Sequence, residues 1–157
     1  MKKTAYISHS MNDGELYILS LISEYLVKKE YYIYSTNSIE PGLDIYQTIT
    51  NQIVKSDLFI GIASHSGINS QWLLKEWEIA QVNGKTAVFI IEDTVQLNSE
   101  FIQSNFVIKF NRQNPESSLI QLRQMIEKEK KETSNTAINW VVGGLLGIAI
   151  IKLLSDE

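Results

Sequence analysis

The sequence predicts an α/β fold, a parallel sheet with helices on both faces. Three observations predict it. Short apolar, β-branched runs alternate with stretches of helical periodicity. Two of those runs, LFIGIA at 58–63 and TAVFII at 86–91, have no polar face, as expected of strands covered on both sides. Turn residues separate the segments, among them Pro41-Gly42 and Asn83-Gly84.

The elements follow in order. Residues 4–8 (TAYIS) read as a first strand. Asp13 is placed to cap a helix reaching about Lys29, with Leu16, Leu19, Ile22 and Leu26 on its apolar face. Residues 31–35 (YYIYS) are aromatic and β-branched and suit a second strand, where Tyr31, Tyr32 and Tyr34 serve packing. After a loop, Ile45, Ile49 and Ile53 recur at helical spacing on a second helix. The buried run 58–63 is the third strand. Residues 71–83 form a third helix, stopped by Asn83-Gly84. The fourth strand is 86–91 and the fifth is NFVIKF at 105–110. A last helix starts at Pro115, carries Leu119, Leu122 and Ile126 on its apolar side, and ends in the charge run 127–132. Five strands joined in this way predict the flavodoxin-like order 2-1-3-4-5. Ligands then bind at the carboxyl ends of the strands, here residues 9–13, 35–43, 64–71 and 92–96.

Composition removes several function classes. There is no cysteine, so disulfides and thiolate chemistry are excluded. Two histidines, His9 and His65, are too few for a histidine-rich metal centre, and both are expected in exposed loops. No metal site is predicted. A net charge of -4 carries no nucleic-acid footprint. The apolar stretch at the N-terminus is too short for a signal peptide, so the bulk of the chain is expected in the cytosol.

Four segments fall on the predicted carboxyl edge. They are YISHSMND at 6–13, SIEPG at 38–42, KSDLFIGIAS at 55–64 and NSQWLLKE at 69–76, followed by Ile91-Glu92-Asp93. In this order and spacing they resemble the TIR (Toll/interleukin-1 receptor) family, over residues 1–130. The resemblance identifies 38–42 with the family's BB loop, so Ile39, Pro41 and Gly42 are expected to govern loop shape and assembly of a homo-oligomer. It also separates enzymes from adaptors. Enzymatic members carry a glutamate four residues after a tryptophan on the third helix, and Trp72 and Glu76 match. At i and i+4 the two share a helical face. Glu78 is rotated by about 200° and is expected to face elsewhere.

The resemblance therefore implies an NAD+ glycohydrolase or cyclase acting on the nicotinamide–ribose bond, with Glu76 as the catalytic carboxylate. Ser10, Asn37 and Trp72 are the implied substrate contacts, and NAD+ is substrate rather than cofactor. One carboxylate suits this chemistry. Nicotinamide leaves as a neutral molecule and needs no general acid, while the oxocarbenium-like transition state is stabilised by a fixed negative charge. The first loop lacks the arginines that some members place there, which leaves phosphate contacts unassigned. A bacterial defence role follows from the resemblance. The alternative is a non-catalytic TIR scaffold assembling through its BB loop.

The C-terminal segment stands apart. After a linker at 131–136, residues 137–154 read AINWVVGGLLGIAIIKLL, 18 residues. As a helix this is about 27 Å, close to the roughly 30 Å hydrocarbon core of a bilayer. Gly143 and Gly147 add a G-x-x-x-G spacing that lets membrane helices approach closely. The expectation is a single-pass inner-membrane anchor with the TIR domain cytoplasmic. The competing expectation is a helix that docks on protein or on itself.

Overall fold

The computed structural model describes residues 2–10, 12–35, 42, 44–65, 71–96 and 106–133, and side chains through residue 128. Its elements are β1 (Thr4–Ser8), α1 (Asp13–Lys28), β2 (Tyr32–Ser35), α2 (Ile45–Lys55), β3 (Leu58–Ala63), α3 (Gln71–Val82), β4 (Thr86–Glu92), β5 (Phe106–Phe110) and α4 (Pro115–Thr133). The five strands form one parallel sheet in the order β2-β1-β3-β4-β5, as the segment pattern predicts. The switch point lies between β1 and β3, where the chain leaves the sheet in opposite directions.

Side chains alternate along each strand and sort into two layers. Ala5, Ile7, Leu58, Ile60, Ile62, Val88, Ile90 and Phe110 face α1 and α4, meeting Ile18, Ile22, Leu26, Leu122 and Ile126. Tyr6, Phe59, Ala63, Phe89 and Ile91 face α2 and α3, meeting Ile49, Ile53, Leu73, Trp77 and Ala80. Every residue of β3 is buried, which is why its sequence has no polar face.

Glycine matters at two junctions. Gly61 on β3 faces α3, and a methyl group there would stand 2.9 Å from ring carbons of Phe89 and 3.0 Å from Leu73. Its absence lets the helix seat closely on the sheet. Gly84 has φ +63 and ends α3, with Lys85 N–H donating to the Ala80 carbonyl at 2.9 Å.

Four local expectations are corrected. Asn12, not Asp13, caps α1: its side chain accepts from Glu15 N while Asp13 is the first helical residue. Asn12 has extended backbone, so it alone is oriented to reach the free N–H groups. The buried stripe of α1 is Glu15, Ile18, Ile22 and Leu26, with Leu16 and Leu19 at its margin. Ile45, at the first turn of α2, is 53% exposed, so only Ile49 and Ile53 of its series are core. Tyr31 is buried as expected, whereas Tyr32 lies exposed on the edge strand and meets Tyr34 edge-to-face at 5.0 Å.

Helix α4 continues through Thr133, into the first residues of the expected linker. Among the described residues no helix is long and apolar enough to cross a membrane. The segment 137–154 lies outside them.

Candidate active site

Helix α3 follows β3 through the carboxyl edge of the sheet and packs back across the sheet face. Its first turn therefore stands at the rim, and each further turn lies about 5.4 Å deeper. Trp72 is at the rim and 37% exposed. Glu76, one turn below on the same row, is only 1% exposed. Its neighbours on the inward face of α3 are Leu73, Trp77 and Ala80. The two residues share a row as the spacing predicts, but one faces solvent and the other is withdrawn from it.

What meets Glu76 comes from the sheet. The phenol of Tyr6 donates to Glu76 Oε1 at 2.8 Å, a buried contact across 70 positions of sequence. Tyr6 is held in turn by its stack on Phe59, with centroids 6.0 Å apart. Trp77 leans on Phe89 at 6.2 Å. The carboxylate is thus fixed in an aromatic wall of low polarity, where charge interactions are stronger than in water. Glu78 is turned elsewhere, as expected. It lines a shallow groove between α2 and α3 with Tyr46, Thr50, Lys75 and Ile79.

A second buried carboxylate occupies the opposite face of the sheet. Glu15 is fully buried. Its Oε1 accepts from the backbone N–H and the hydroxyl of Ser64, each at 3.0 Å. Its Oε2 accepts from the N–H of Ser10. Asn12 completes the arrangement, donating to Ser10 Oγ at 2.6 Å and accepting from Glu15 N at 2.9 Å. The structure thus places Ser10 against the start of α1, its hydroxyl engaged by Asn12. His9 is buried rather than exposed, because its ring folds back so that Nδ1 meets the Ser10 carbonyl at 2.8 Å. A carbonyl only accepts, so Nδ1 carries the proton. His65 is exposed, as expected.

A third group lies at the ends of β4 and β5. Arg112 Nε donates to Glu92 Oε1, and Arg112 Nη2 donates to the Gly14 carbonyl at 3.0 Å. The guanidinium also lies over the Tyr17 ring, 5.9 Å from its centre. The hydrogen bond from Arg112 holds the Glu92 carboxyl below its ordinary value, with the His65 N–H adding to the effect. An arginine does therefore reach the start of α1, but from β5, 98 positions away. Motif reading of the first loop could not find it.

Of the remaining predicted residues, Gly42 has φ +95, a backbone that side chains other than glycine rarely adopt. Asn37, Ile39 and Pro41 lie outside the described residues. Glu15 is the group that sequence reading missed. The structure puts it at the first position of the buried stripe of α1, where apolar periodicity does not count a glutamate and where a carboxylate is stable only if it is hydrogen-bonded.

The architecture is a flavodoxin-like α/β sandwich with two buried carboxylates at the carboxyl ends of its central strands. The model of the TIR domain matches residues 6–126, and the chain belongs to that family. No curated protein matches it. Among solved structures, a 2-deoxyribosyltransferase from the psychrotolerant bacterium Bacillus psychrosaccharolyticus aligns with a TM-score of 0.56 at 16% identity, covering 71% of this chain and 88% of that one. The TIR domains of the activated Roq1 resistosome, which directly recognises the pathogen effector XopQ, align with a TM-score of 0.53 at 12% identity, covering 98% of each chain. Both likenesses concern the fold.

Proposed function

We propose that this TIR domain is an NAD+ nucleosidase that cleaves the nicotinamide–ribose bond, with Glu76 as its catalytic carboxylate. The observation that carries the reading is the placement of Glu76: buried one turn beneath the exposed Trp72 and gripped by the Tyr6 phenol. A carboxylate held by a neutral donor keeps its negative charge available to a developing oxocarbenium ion. The C–N bonding pair leaves with nicotinamide, which departs neutral. Water then adds at the ribose carbon and loses a proton, giving ADP-ribose. Attack by a nucleophile within the same nucleotide would instead give a cyclic product. Trp72 offers an exposed ring at the rim for stacking, and Ser10 and Asn37 complete the proposed substrate contacts. The fold is shared with a 2-deoxyribosyltransferase described as a biocatalyst for nucleoside synthesis, which supports chemistry at a sugar on this scaffold.

The test is to incubate the purified full-length protein with NAD+ and identify the products by chromatography. Nicotinamide release by the wild type, absent in Glu76→Gln, is the expected result. Equal release by both proteins removes Glu76 from the mechanism.

A second reading has its own support. A glutamate 1% exposed and hydrogen-bonded to a core tyrosine is also what a structural polar pair looks like. In that case the domain is a scaffold assembling through residues 38–42. Oligomer formation by the wild type without NAD+ turnover would favour it.

The proposed setting is a homo-oligomeric, membrane-anchored bacterial defence effector. TIR domains occur in the activated Roq1 resistosome, and the BB loop with Ile39, Pro41 and Gly42 is the proposed contact here. Residues 137–154 are proposed to anchor the chain in the inner membrane, with the TIR domain cytoplasmic, and thereby to raise its local concentration. Cell fractionation of the full chain beside a version lacking 137–157 tests the anchor. A full chain found in the soluble fraction overturns it.

A further inference from the structure

On the α1 side of the carboxyl edge the hydrogen bonds close into a ring. Glu15 Oε1 accepts from both donors of Ser64 at 3.0 Å. The next residue, His65, donates its backbone N–H to Glu92 Oε2 at 3.2 Å. Glu92 Oε1 accepts from Arg112 Nε, and Arg112 Nη2 donates to the Gly14 carbonyl at 3.0 Å. Gly14 is bonded to Glu15, so the circuit returns to its start. It joins the first turn of α1 to the ends of β3, β4 and β5. From the ring, Glu15 Oε2 accepts from Ser10 N, and Asn12 bonds to Glu15 N and to the Ser64 hydroxyl.

This is a departure from ordinary helix capping. Glu15 is three residues after the N-cap Asn12, the position from which a glutamate usually reaches back to the N-cap N–H. Here it reaches past the N-cap to Ser10 and across the sheet to Ser64. A fully buried carboxylate is tolerated because three donors meet its two oxygens, two of them backbone groups whose directions are set by the strands.

We infer that Glu15 is a positioning residue: anchored by the ring through Ser64, Glu92 and Arg112, it fixes the loop that carries Ser10 at the mouth of the nucleotide site. The inference rests on the function proposed above for its substrate, but not for its geometry. Glu15 and Arg112 touch no reacting atom. They hold the Ser10 backbone in register with Ser64, so that the loop is ordered before substrate arrives. Ring and catalytic carboxylate are on opposite faces of the sheet, so loosening one leaves the other in place.

Two measurements on the full-length protein test this. The first is amide hydrogen exchange at Ser10 and Ser64, which needs no activity. Wild type should protect both amides, and Glu15→Gln should release the one that faces the new amide nitrogen, which cannot accept, while the retained oxygen can still accept from the other. The second is steady-state NAD+ cleavage. Glu15→Gln should raise KM roughly tenfold and leave kcat within about twofold, the pattern of a misplaced binding loop rather than a damaged reaction centre. Ser64→Ala, which deletes one hydroxyl donor and keeps the backbone bond, should shift both readouts the same way by less, and it serves if Glu15→Gln does not fold. Arg112→Met should resemble Ser64→Ala. Exchange at Ser10 and Ser64 that is unchanged in these variants overturns the frame, as does a loss confined to kcat. Absence of NAD+ cleavage in wild type overturns the proposed function instead, and the exchange result then decides the frame alone.

Discussion

The two faces of the sheet each bury a glutamate near the carboxyl edge, and they hold it in different ways. On the α1 side Glu15 accepts from the backbone N–H of Ser10 and of Ser64. Those donors are parts of the chain path and cannot turn away. On the α3 side Glu76 meets the hydroxyl of Tyr6, a side-chain group within an aromatic wall. A carboxylate held by backbone is committed to shape. One held by a phenol depends on a side chain that a single substitution can remove. Burial is the same for both, so burial alone does not separate a structural acid from a chemical one.

Substituting the two acids alike is the strongest way to break this comparison. Glu76→Gln should lower NAD+ cleavage by at least about 10²–10³-fold, because only the charge is lost, with little change in the urea midpoint. Glu15→Gln should leave kcat nearly unchanged but cost about 1–3 kcal/mol of stability by leaving a buried donor without an acceptor. Comparable stability losses in both variants would show that Glu76 is structural as well.

Gly61→Ala probes the seat of α3. The added methyl meets Phe89 and Leu73 at 2.9 and 3.0 Å, so the helix must shift or the rings must move. The expected cost is about 1–3 kcal/mol, with activity falling as Glu76 is displaced. A fully stable and fully active variant would mean that close packing of α3 does not place the carboxylate.

Tyr6→Phe sharpens the comparison from the sheet side. It removes one hydroxyl and leaves the stack on Phe59 intact. Stability should fall by about 1 kcal/mol, and cleavage by roughly tenfold, if the phenol orients the carboxylate. The measurement is a pair of urea titrations beside NAD+ turnover at saturating substrate.

The smallest effect concerns pH. Arg112 holds the Glu92 carboxyl below its ordinary value of 4.5 in the folded protein. That contribution to stability is complete above the unfolded value and is lost as pH falls through the folded one. The gap in stability between wild type and Arg112→Met should therefore be widest near neutral pH and should narrow below about 4.5. Urea midpoints taken across this range check it. A constant gap would assign the role of Arg112 to packing over Tyr17 rather than to charge.

Much of this molecule is legible from the chain alone, for a local reason. Strands covered on both faces must be apolar throughout, so β3 and β4 stand out in the sequence. The stop at Gly84 and the turn at Gly42 are equally local, since positive φ selects glycine. The Trp72/Glu76 spacing required only 3.6 residues per turn. The rotation of the α1 stripe was not legible, because a glutamate at position 15 does not score as core.

What the sequence determined by itself is the set of elements, their order and the row on which Glu76 sits, all of which depend on neighbours a few residues apart. Tertiary structure alone decided that Tyr6 meets Glu76 across 70 positions, that Glu15 reaches Ser64 across 49, and that Arg112 reaches Gly14 across 98. It also decided that His9 is buried and Trp72 exposed. The physical reason is that hydrogen-bond partners and solvent access belong to the packed sheet. Parallel strands bring distant segments to one edge, and no local periodicity records which polar groups meet there.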